Sequence, residues 1–232
     1  MKYYSHSNHP IMIGHFAGQS RVISKDILEE GKHTKFFKPF NVEIISIITH
    51  NYLGNDDTTL DYQLRLNNID YLNPAKNYIW KWNNSKKVGF IIKALKKTKT
   101  EYALIMDGAD VCVMSDLTDI VERFKTYDKD IIFNATIWAY PKVEIDNVEN
   151  RQQYGKYCHL NAGCCIGKTK ALLEFYTEVQ KVIKADKSKN PSEQYYVRQV
   201  FDRHKDTVFF DYDCRIFQVW HKPCYEYYCK VT

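Results

Sequence analysis

The segment YALIMDGADV, residues 102–111, contains the strongest indication of the protein's architecture. Residues 103–106 form an uninterrupted apolar run that is long enough for a buried strand. The run ends in a sharp turn that carries Asp107 and Asp110, separated by two small residues. In an open α/β sheet, ligands bind in the crevice beyond the carboxyl ends of the strands. The segment therefore predicts a strand that leads directly into a ligand site.

Two interpretations of this acidic turn remain open at this point. Carboxylate oxygens are ligands that Mg²⁺ and Mn²⁺ prefer, so Asp107 and Asp110 are candidates to hold an ion that bridges the phosphates of an activated donor. Asp and Gly are also ordinary turn residues that end strands in many folds. The rest of the sequence has to distinguish a metal site from a simple turn.

The composition indicates one folded domain that binds no nucleic acid. A chain of 232 residues is the size of a single domain, and 18 Tyr with 12 Phe favour a packed protein over a disordered one. The net charge of +5 is spread along the chain, and the lysine-rich run at 93–99 is typical of a solvated helix face. A compact basic stripe with interleaved aromatics is missing from the sequence, so nucleic acid is not expected as a partner, whereas the mild positive charge suits an anionic donor.

The N-terminal residues and the cysteine pattern indicate the cellular compartment and the redox state that we expect. The first ten residues lack the apolar core of a signal peptide, and no apolar run reaches the length of a membrane span, so a cytoplasmic protein is expected. The seven cysteines show no paired CxxC spacing. We expect reduced, buried thiols, and Cys224 with Cys229 is the one pair that merits a test for a disulfide.

The chain divides into an N-terminal extension, residues 1–41, and one α/β domain, residues 42–232. The extension contains only short apolar runs and is expected to have little structure of its own. The domain opens with the β-branched run VEIISIITH at 42–50, which predicts the first strand.

Strands and helices then alternate. Helices are expected over 58–67 and 85–97, with a short strand near 69–72 between them, and this order predicts a mainly parallel sheet wrapped by helices. After the acidic turn, Ser115 or Asp116 is expected to cap a further helix. The remaining predicted elements are a strand over 130–141, an apolar run with two glycines at 159–168, a helix over 169–184, a helix that begins near 190–193, and short strands at 208–210 and 215–219.

Several of these segments, taken in order, resemble the glycosyltransferase domain of the procollagen lysyl hydroxylase and collagen glycosyltransferase family. DGAD, LNAG and the pattern D-x-x-x-RIFQ are the most specific of them. The resemblance covers residues 42–220 and implies a GT-A fold, a UDP-glucose or UDP-galactose donor, and a Mn²⁺ ion, with Mg²⁺ as an alternative. The segments are SIITH (46–50), KV (87–88), MDGADV (106–111), IIFNA with WAYP (131–141), HLNAGCCIG (159–167), SEQ (192–194) and FDYDCRIFQ (210–218).

The resemblance implies roles for individual side chains. Asp107 and Asp110 match the family's metal-binding pair, and Asp107 also faces the donor. Thr49 matches a position that touches the uridine, and Lys87 a lysine near the phosphates. Asn161 matches an asparagine that lines the sugar pocket, where an amide can donate to and accept from hydroxyls. Without the resemblance, each of these last three residues has a simpler explanation. Thr49 would be a hydroxyl at the end of a strand, Lys87 a solvated lysine and Asn161 a turn residue.

Two further acids have competing interpretations. Glu193 matches an acidic cluster of the family and is a candidate base or stabiliser of an oxocarbenium-like state. Asn190, Pro191 and Glu193 also form a good helix start, with a cap, a proline and a glutamate that can return to the cap's amide. Asp211 matches a family acid counted among the donor-binding residues, and it is also a residue that would end a strand.

The sequence departs from the family in three places. The relatives have a C-terminal HGN-type motif whose histidine is the third metal ligand, whereas here His221 is the one histidine after RIFQ and lacks that context. An acidic run is reduced to Ser192 and Glu193, and an aromatic residue beside the second metal acid is replaced by Ala109. These departures leave two alternatives for the site: a metal-dependent enzyme that turns over its donor, or a site that binds the metal ion weakly and does not turn the donor over.

The leading hypothesis is a glycosyltransferase that moves a hexose from a UDP-sugar to a hydroxyl acceptor, on a glycosylated or hydroxylated protein or on a glycan, with Mn²⁺ aiding the departure of UDP. The alternative is a degenerate transferase that binds a nucleotide or glycan without turnover, which the missing third ligand favours. A nucleotidyltransferase is a third possibility, but no Gly-rich phosphate loop follows Val42.

Overall fold

A five-stranded sheet forms the centre of the molecule. Its strands are β2 (Val42–Ile47), β3 (Tyr102–Asp107), β5 (Ile131–Thr136), β6 (His159–Lys168) and β7 (Val208–Phe210), in the spatial order β2-β3-β6-β5-β7. Strand β6 runs antiparallel to both of its neighbours, while the β2–β3 and β5–β7 pairs are parallel. The computed structural model describes residues 9–16, 31, 33–49, 60–139, 152–188 and 190–220.

A second, three-stranded sheet is built on residues near the N-terminus. Strand β1 (Ile13–His15) lies between β4 (Val111–Val113) and β8 (Phe217–Val219), antiparallel to the first and parallel to the second. The expectation of little structure before residue 42 is wrong for 13–15. The backbone of β1 forms hydrogen bonds with β4 on one side and β8 on the other, and so joins these two strands into one sheet. The division of the chain at residues 41 and 42 stays a prediction.

Helices cover both faces of the five-stranded sheet. They are α1 (Leu60–Leu66), α2 (Lys87–Leu95) with a preceding 3₁₀ turn (Asn84–Lys86), α3 (Ile120–Lys125), α4 (Thr169–Ala185) and α5 (Glu193–Phe201). Apolar side chains of α2, α4 and α5 pack in the core on one face, and those of α1, α3 and the second sheet pack on the other. The mixed, mainly parallel α/β architecture that the sequence predicts is confirmed.

The uninterrupted apolar run of β3 follows from this double coverage. Ala103 and Ile105 belong to one core cluster, whereas Leu104 and Met106 belong to the other. Because successive side chains of a strand point to opposite faces, a strand covered on both faces needs apolar residues at every position. The same pattern explains why β3 is recognisable from the sequence alone.

Local boundaries differ from the predictions in several places. The strand predicted over 130–141 ends at Thr136, and the last strand begins at Phe217 and not at Arg215. The strand expected near 69–72 is a single bridge between Ile45 and Leu72. Helix α3 begins at Ile120 and is not capped by Ser115 or Asp116, because the Asp116 carboxylate accepts a hydrogen bond from the Thr118 amide in the turn before the helix.

The described cysteines are buried and free, as expected: Cys112, Cys158, Cys164, Cys165 and Cys214. Cys224, Cys229 and His221 lie outside the described residues. Among the helices that the structure describes, none has the length and apolar character to cross a bilayer.

Candidate functional site

An open cavity of about 240 Å³ lies beyond the carboxyl ends of β2 and β3. This is the position that the architecture predicts for a ligand site. The structure brings together five of the residues that sequence reasoning proposed, and Trp82 and Asn84 add a polar and aromatic wall. The five are Thr49, Lys87, Asp107, Asp110 and Glu193.

Lys87 is the charged centre of the cavity. Its Nζ lies 2.5 Å from Asp107 Oδ1 and 3.1 Å from Glu193 Oε1, and it donates a hydrogen bond of 3.1 Å to the Ala162 carbonyl. Burial lowers the pKa of Lys87, but the charges of Asp107 and Glu193 outweigh burial and raise this pKa above its usual range. The alternative of a merely solvated lysine is wrong, since only 3% of the side chain is exposed.

Glu193 is the first residue of α5, and its carboxylate pairs with Lys87. The residue at the N-cap position is Ser192, not Asn190, whose side chain instead accepts a hydrogen bond of 2.9 Å from the Ser192 amide. The cap that the sequence suggested at Asn190 is therefore wrong. The adjacent Gln194 accepts a hydrogen bond from the Ala162 amide, so the start of α5 is attached to β6 as well as to Lys87.

Gly108 allows the acidic turn to lie against the end of β2. A Cβ at this position would overlap Ile48 and lie 2.8 Å from Ser46 Oγ. The Gly108 amide donates to the Ile47 carbonyl, at 3.0 Å. Close approach thus explains the glycine between the two acids, and it places Asp107 beside the strand that leads to Thr49.

His15 was missed by sequence reasoning, although it contacts one of the proposed metal ligands. Its Nε2 lies 3.5 Å from Asp110 Oδ2, and only 5% of its side chain is exposed. Burial lowers the pKa of His15, but the nearby Asp110 and Asp107 carboxylates outweigh it and raise this pKa above the usual value. In the sequence, its one signal is a lone histidine in the short apolar run at 11–16.

Three side chains form a cluster that can hold a metal ion. One ligand atom from each of His15, Asp107 and Asp110 lies within 4.8 Å of the others. Ligand atoms of one divalent ion lie at about 2.0–2.6 Å from it and therefore at most about 5 Å from each other, so the spacing of these three side chains is compatible with one shared ion. Burial raises the pKa of Asp107 to about 6; Lys87 opposes this shift, and Asp110 and Glu193 add to it.

A bulge in β6 shapes the rest of the site. Phe133 pairs with Cys165 while the next residue, Asn134, pairs with Asn161, so β6 has extra residues at this point. The glycine-containing run at 159–168 therefore includes a β-bulge. Asn161 Oδ1 accepts a hydrogen bond of 2.9 Å from the Gly163 amide inside the bulge, and Asn161 is not among the residues that line the cavity.

Asp211 lies outside the lining of the cavity and supports the backbone before β8. Its carboxylate accepts hydrogen bonds from the amides of Arg215, Ile216 and Phe217, at 2.7–2.8 Å, and from the Tyr127 hydroxyl. The interpretation as a turn residue at the end of a strand is the one that these contacts favour.

Comparison with known families agrees with this geometry. A family model described as the PLOD GT domain matches residues 71–231, which is most of the chain. The chain belongs to this family. The PLOD GT domain match includes β3, the acidic turn, Lys87 and Glu193, whereas β1 and Thr49 precede it.

Membership of the PLOD GT domain family confirms the resemblance inferred from the motifs and assigns the chain a glycosyltransferase activity in general, with a donor and an acceptor. The matched range begins later than residue 42 and extends beyond residue 220. No curated protein matches the chain.

Proposed function

We propose that this protein transfers a hexose from UDP-glucose or UDP-galactose to a hydroxyl acceptor on a protein or a glycan, with Mn²⁺, or Mg²⁺ in its place, at the acidic turn. One observation carries the proposal: β3 delivers Asp107 and Asp110 into a cavity that also contains Lys87, Glu193 and Thr49. A strand end with paired carboxylates beside a buried cation suits a donor whose diphosphate must be both bound and released.

Asp107 and Asp110 would hold the metal ion, because carboxylate oxygens are the ligands that Mn²⁺ and Mg²⁺ favour. Asp107 keeps 28% of its side chain exposed and Asp110 keeps 27%, so both remain accessible from the cavity. When bound, the ion would supply Lewis-acid neutralisation of the charge that develops on the departing diphosphate.

Lys87 and Thr49 would prepare the donor pocket. Lys87 holds Asp107 and Glu193 through two ion pairs and places a positive charge at the base of the cavity, where the donor's phosphates would add negative charge. Thr49 lies at the edge of the cavity beyond β2, and we assign its hydroxyl to the uridine. Asp211 is not included among the donor-binding residues, since both of its oxygens accept hydrogen bonds from the backbone.

Glu193 and Asn161 would act on the sugar and the acceptor. The Glu193 carboxylate lines the cavity, oriented by Lys87, and we assign it the role of base toward the acceptor hydroxyl. Asn161 lies in the β6 bulge next to Ala162, whose carbonyl accepts from Lys87, and we assign its amide to hydroxyls of the donor sugar.

A second candidate, nucleotide binding without turnover, is favoured by one contact. Lys87 Nζ lies 2.5 Å from Asp107 Oδ1, so a cation of the protein already neutralises one of the two proposed metal ligands. A site neutralised in this way can bind a nucleotide without recruiting a metal ion.

Release of UDP from UDP-glucose and UDP-galactose, with and without Mn²⁺, tests the proposal. We expect Mn²⁺-dependent release that falls at least about 100-fold in Asp107→Asn and in Asp110→Asn. The matched control is Asp119→Asn, an exposed carboxylate that immediately precedes α3. Binding of UDP by calorimetry without release from either donor would support the second candidate. Absence of UDP binding would overturn both.

A further inference from the structure

We propose that His15 is the third protein ligand of the metal ion and that it selects Mn²⁺ over Mg²⁺. This inference rests on the proposed function, which places the ion on Asp107 and Asp110. The histidine comes from β1, near the start of the chain, and not from the C-terminal region where the family's motif is expected.

The backbone fixes His15 beside the acidic turn. The amide of Phe16, the next residue, donates a hydrogen bond of 2.8 Å to the carbonyl of Asp110 itself. On the other edge of β1, the Trp220 amide donates to the His15 carbonyl, at 2.9 Å. His15 pairs in register with Val111, the residue after Asp110. Two strands therefore hold the imidazole, and its position does not depend on a mobile side chain alone.

The bulge in β6 makes room for the imidazole ring. A Cβ on Gly163 would overlap His15 Cε1 and would lie 2.8 Å from Nδ1. Only a glycine at this position allows the ring to occupy the space between β1 and β6. The glycine of the LNAG motif thus serves the histidine, a role that no feature of the local sequence shows.

Asn134 provides the partner that a metal-bound histidine needs. Its Nδ2 lies 3.3 Å from His15 Nδ1, and its Oδ1 is buried without a hydrogen-bond partner among the described residues. If the amide turns about its terminal bond, Oδ1 accepts from Nδ1–H and the Nε2 lone pair is directed at the ion. Ligating histidines in proteins commonly donate their second nitrogen in this way. Asn134 is therefore a positioning residue for His15.

The composition of the ligand set gives the selectivity. Mg²⁺ is held by oxygen ligands, whereas an imidazole favours transition-metal ions, whose affinities rise along the first row. Two carboxylates alone would bind Mg²⁺ and Mn²⁺ with little discrimination. Addition of Nε2 from His15 to Asp107 and Asp110 should strengthen the binding of Mn²⁺ more than that of Mg²⁺.

Electron paramagnetic resonance of Mn²⁺, bound in the presence of UDP, tests this directly. We expect a ¹⁴N coupling from a directly bound imidazole, which changes to a ¹⁵N coupling when the protein is made with ¹⁵N-histidine. His15→Gln should lose the coupling and weaken Mn²⁺ binding by at least about 10-fold, with a smaller change for Mg²⁺. His221→Gln is the control that should retain both.

Other outcomes separate the two proposals. If Mn²⁺ binds, depends on Asp107, and shows no nitrogen coupling, His15 is not a ligand and only the present inference fails. The same conclusion follows if the coupling persists in His15→Gln and disappears in His221→Gln. If wild-type protein with UDP binds no Mn²⁺, the metal site of the proposed function fails as well. The isotope experiment on wild-type and His221→Gln protein does not require His15→Gln to fold.

Discussion

Lys87 and Glu193 form a buried ion pair, with 3.1 Å between Nζ and Oε1 and only 3% and 9% of the two side chains exposed. The pair joins the start of α2 to the start of α5, and through Asp107 it also reaches the end of β3. Two consecutive elements, α2 and β3, therefore meet the distant helix α5 at one ammonium group.

Substitution of Lys87 by methionine should lower the free energy of unfolding by about 3–5 kcal/mol, because Glu193 and Asp107 would lose their shared cation. Urea unfolding monitored by circular dichroism measures this change. Lys125→Met removes an exposed pair with Glu122 and should change stability by less than about 1 kcal/mol.

The double variant Lys87→Met with Glu193→Gln removes both partners of the ion pair, so it separates the loss of the pair from the cost of a buried, unpaired Glu193. It should regain part of the lost stability, because no unpaired charge is left at the start of α5, but it should not regain release of UDP. A single Lys87→Met variant as stable as wild type would contradict the assigned role of the ion pair.

Asp211→Asn should destabilise the fold and leave nucleotide binding intact. Asparagine keeps one acceptor oxygen and has an NH₂ group in place of the other, so it cannot accept from Arg215 on one side and from Ile216 and Phe217 on the other at the same time. Each buried donor left without an acceptor costs about 1–3 kcal/mol. Urea unfolding and calorimetric titration with UDP report the two properties separately. A weaker affinity for UDP in a variant of unchanged stability would restore Asp211 to the donor site.

Gly163→Ala should displace the imidazole of His15 and cost about 1–3 kcal/mol of stability, because the added methyl group overlaps the ring. Gly89→Ala is the matched control, since its nearest neighbour would be Gln180 Nε2 at 3.5 Å and alanine favours a helix. We expect Gly89→Ala to raise stability by about 0.4–1 kcal/mol. Equal melting temperatures for the two variants would argue against the close packing of His15 on β6.

The described cysteines should not react with a thiol reagent in the native protein at pH 8. Burial raises the pKa of both the Cys112 and the Cys165 thiol to about 12, so both thiols stay protonated at pH 8 and lack the reactive thiolate. Colorimetric titration with a disulfide reagent, before and after denaturation, checks this. In a variant with Cys224→Ser and Cys229→Ser, rapid native labelling of any remaining thiol would contradict the prediction.

The elements of the central sheet could be predicted because their signal is local. β3 is buried on both faces and reads as a continuous apolar run, and α4 carries Leu172, Phe175 and Val179 at helical spacing, all three of which are buried. The acidic turn follows β3 directly, so its place at the edge of the sheet comes from the same pattern. Resemblance of ordered motifs added Lys87 and Glu193, which no periodicity could select.

The contacts between distant segments could not be predicted, since they depend on how strands pair. His15 reaches Asp110 because β1 inserts between β4 and β8, and a three-residue strand carries too little pattern to show its partners. Asp211 has the chemistry of a ligand, yet the turn before β8 directs backbone amides at it. Local sequence encodes which residues are apolar and which side chains can ionise. Tertiary packing alone decides which of those charges share one cavity, because strand register and the bulge in β6 bring together residues that have no relation along the chain.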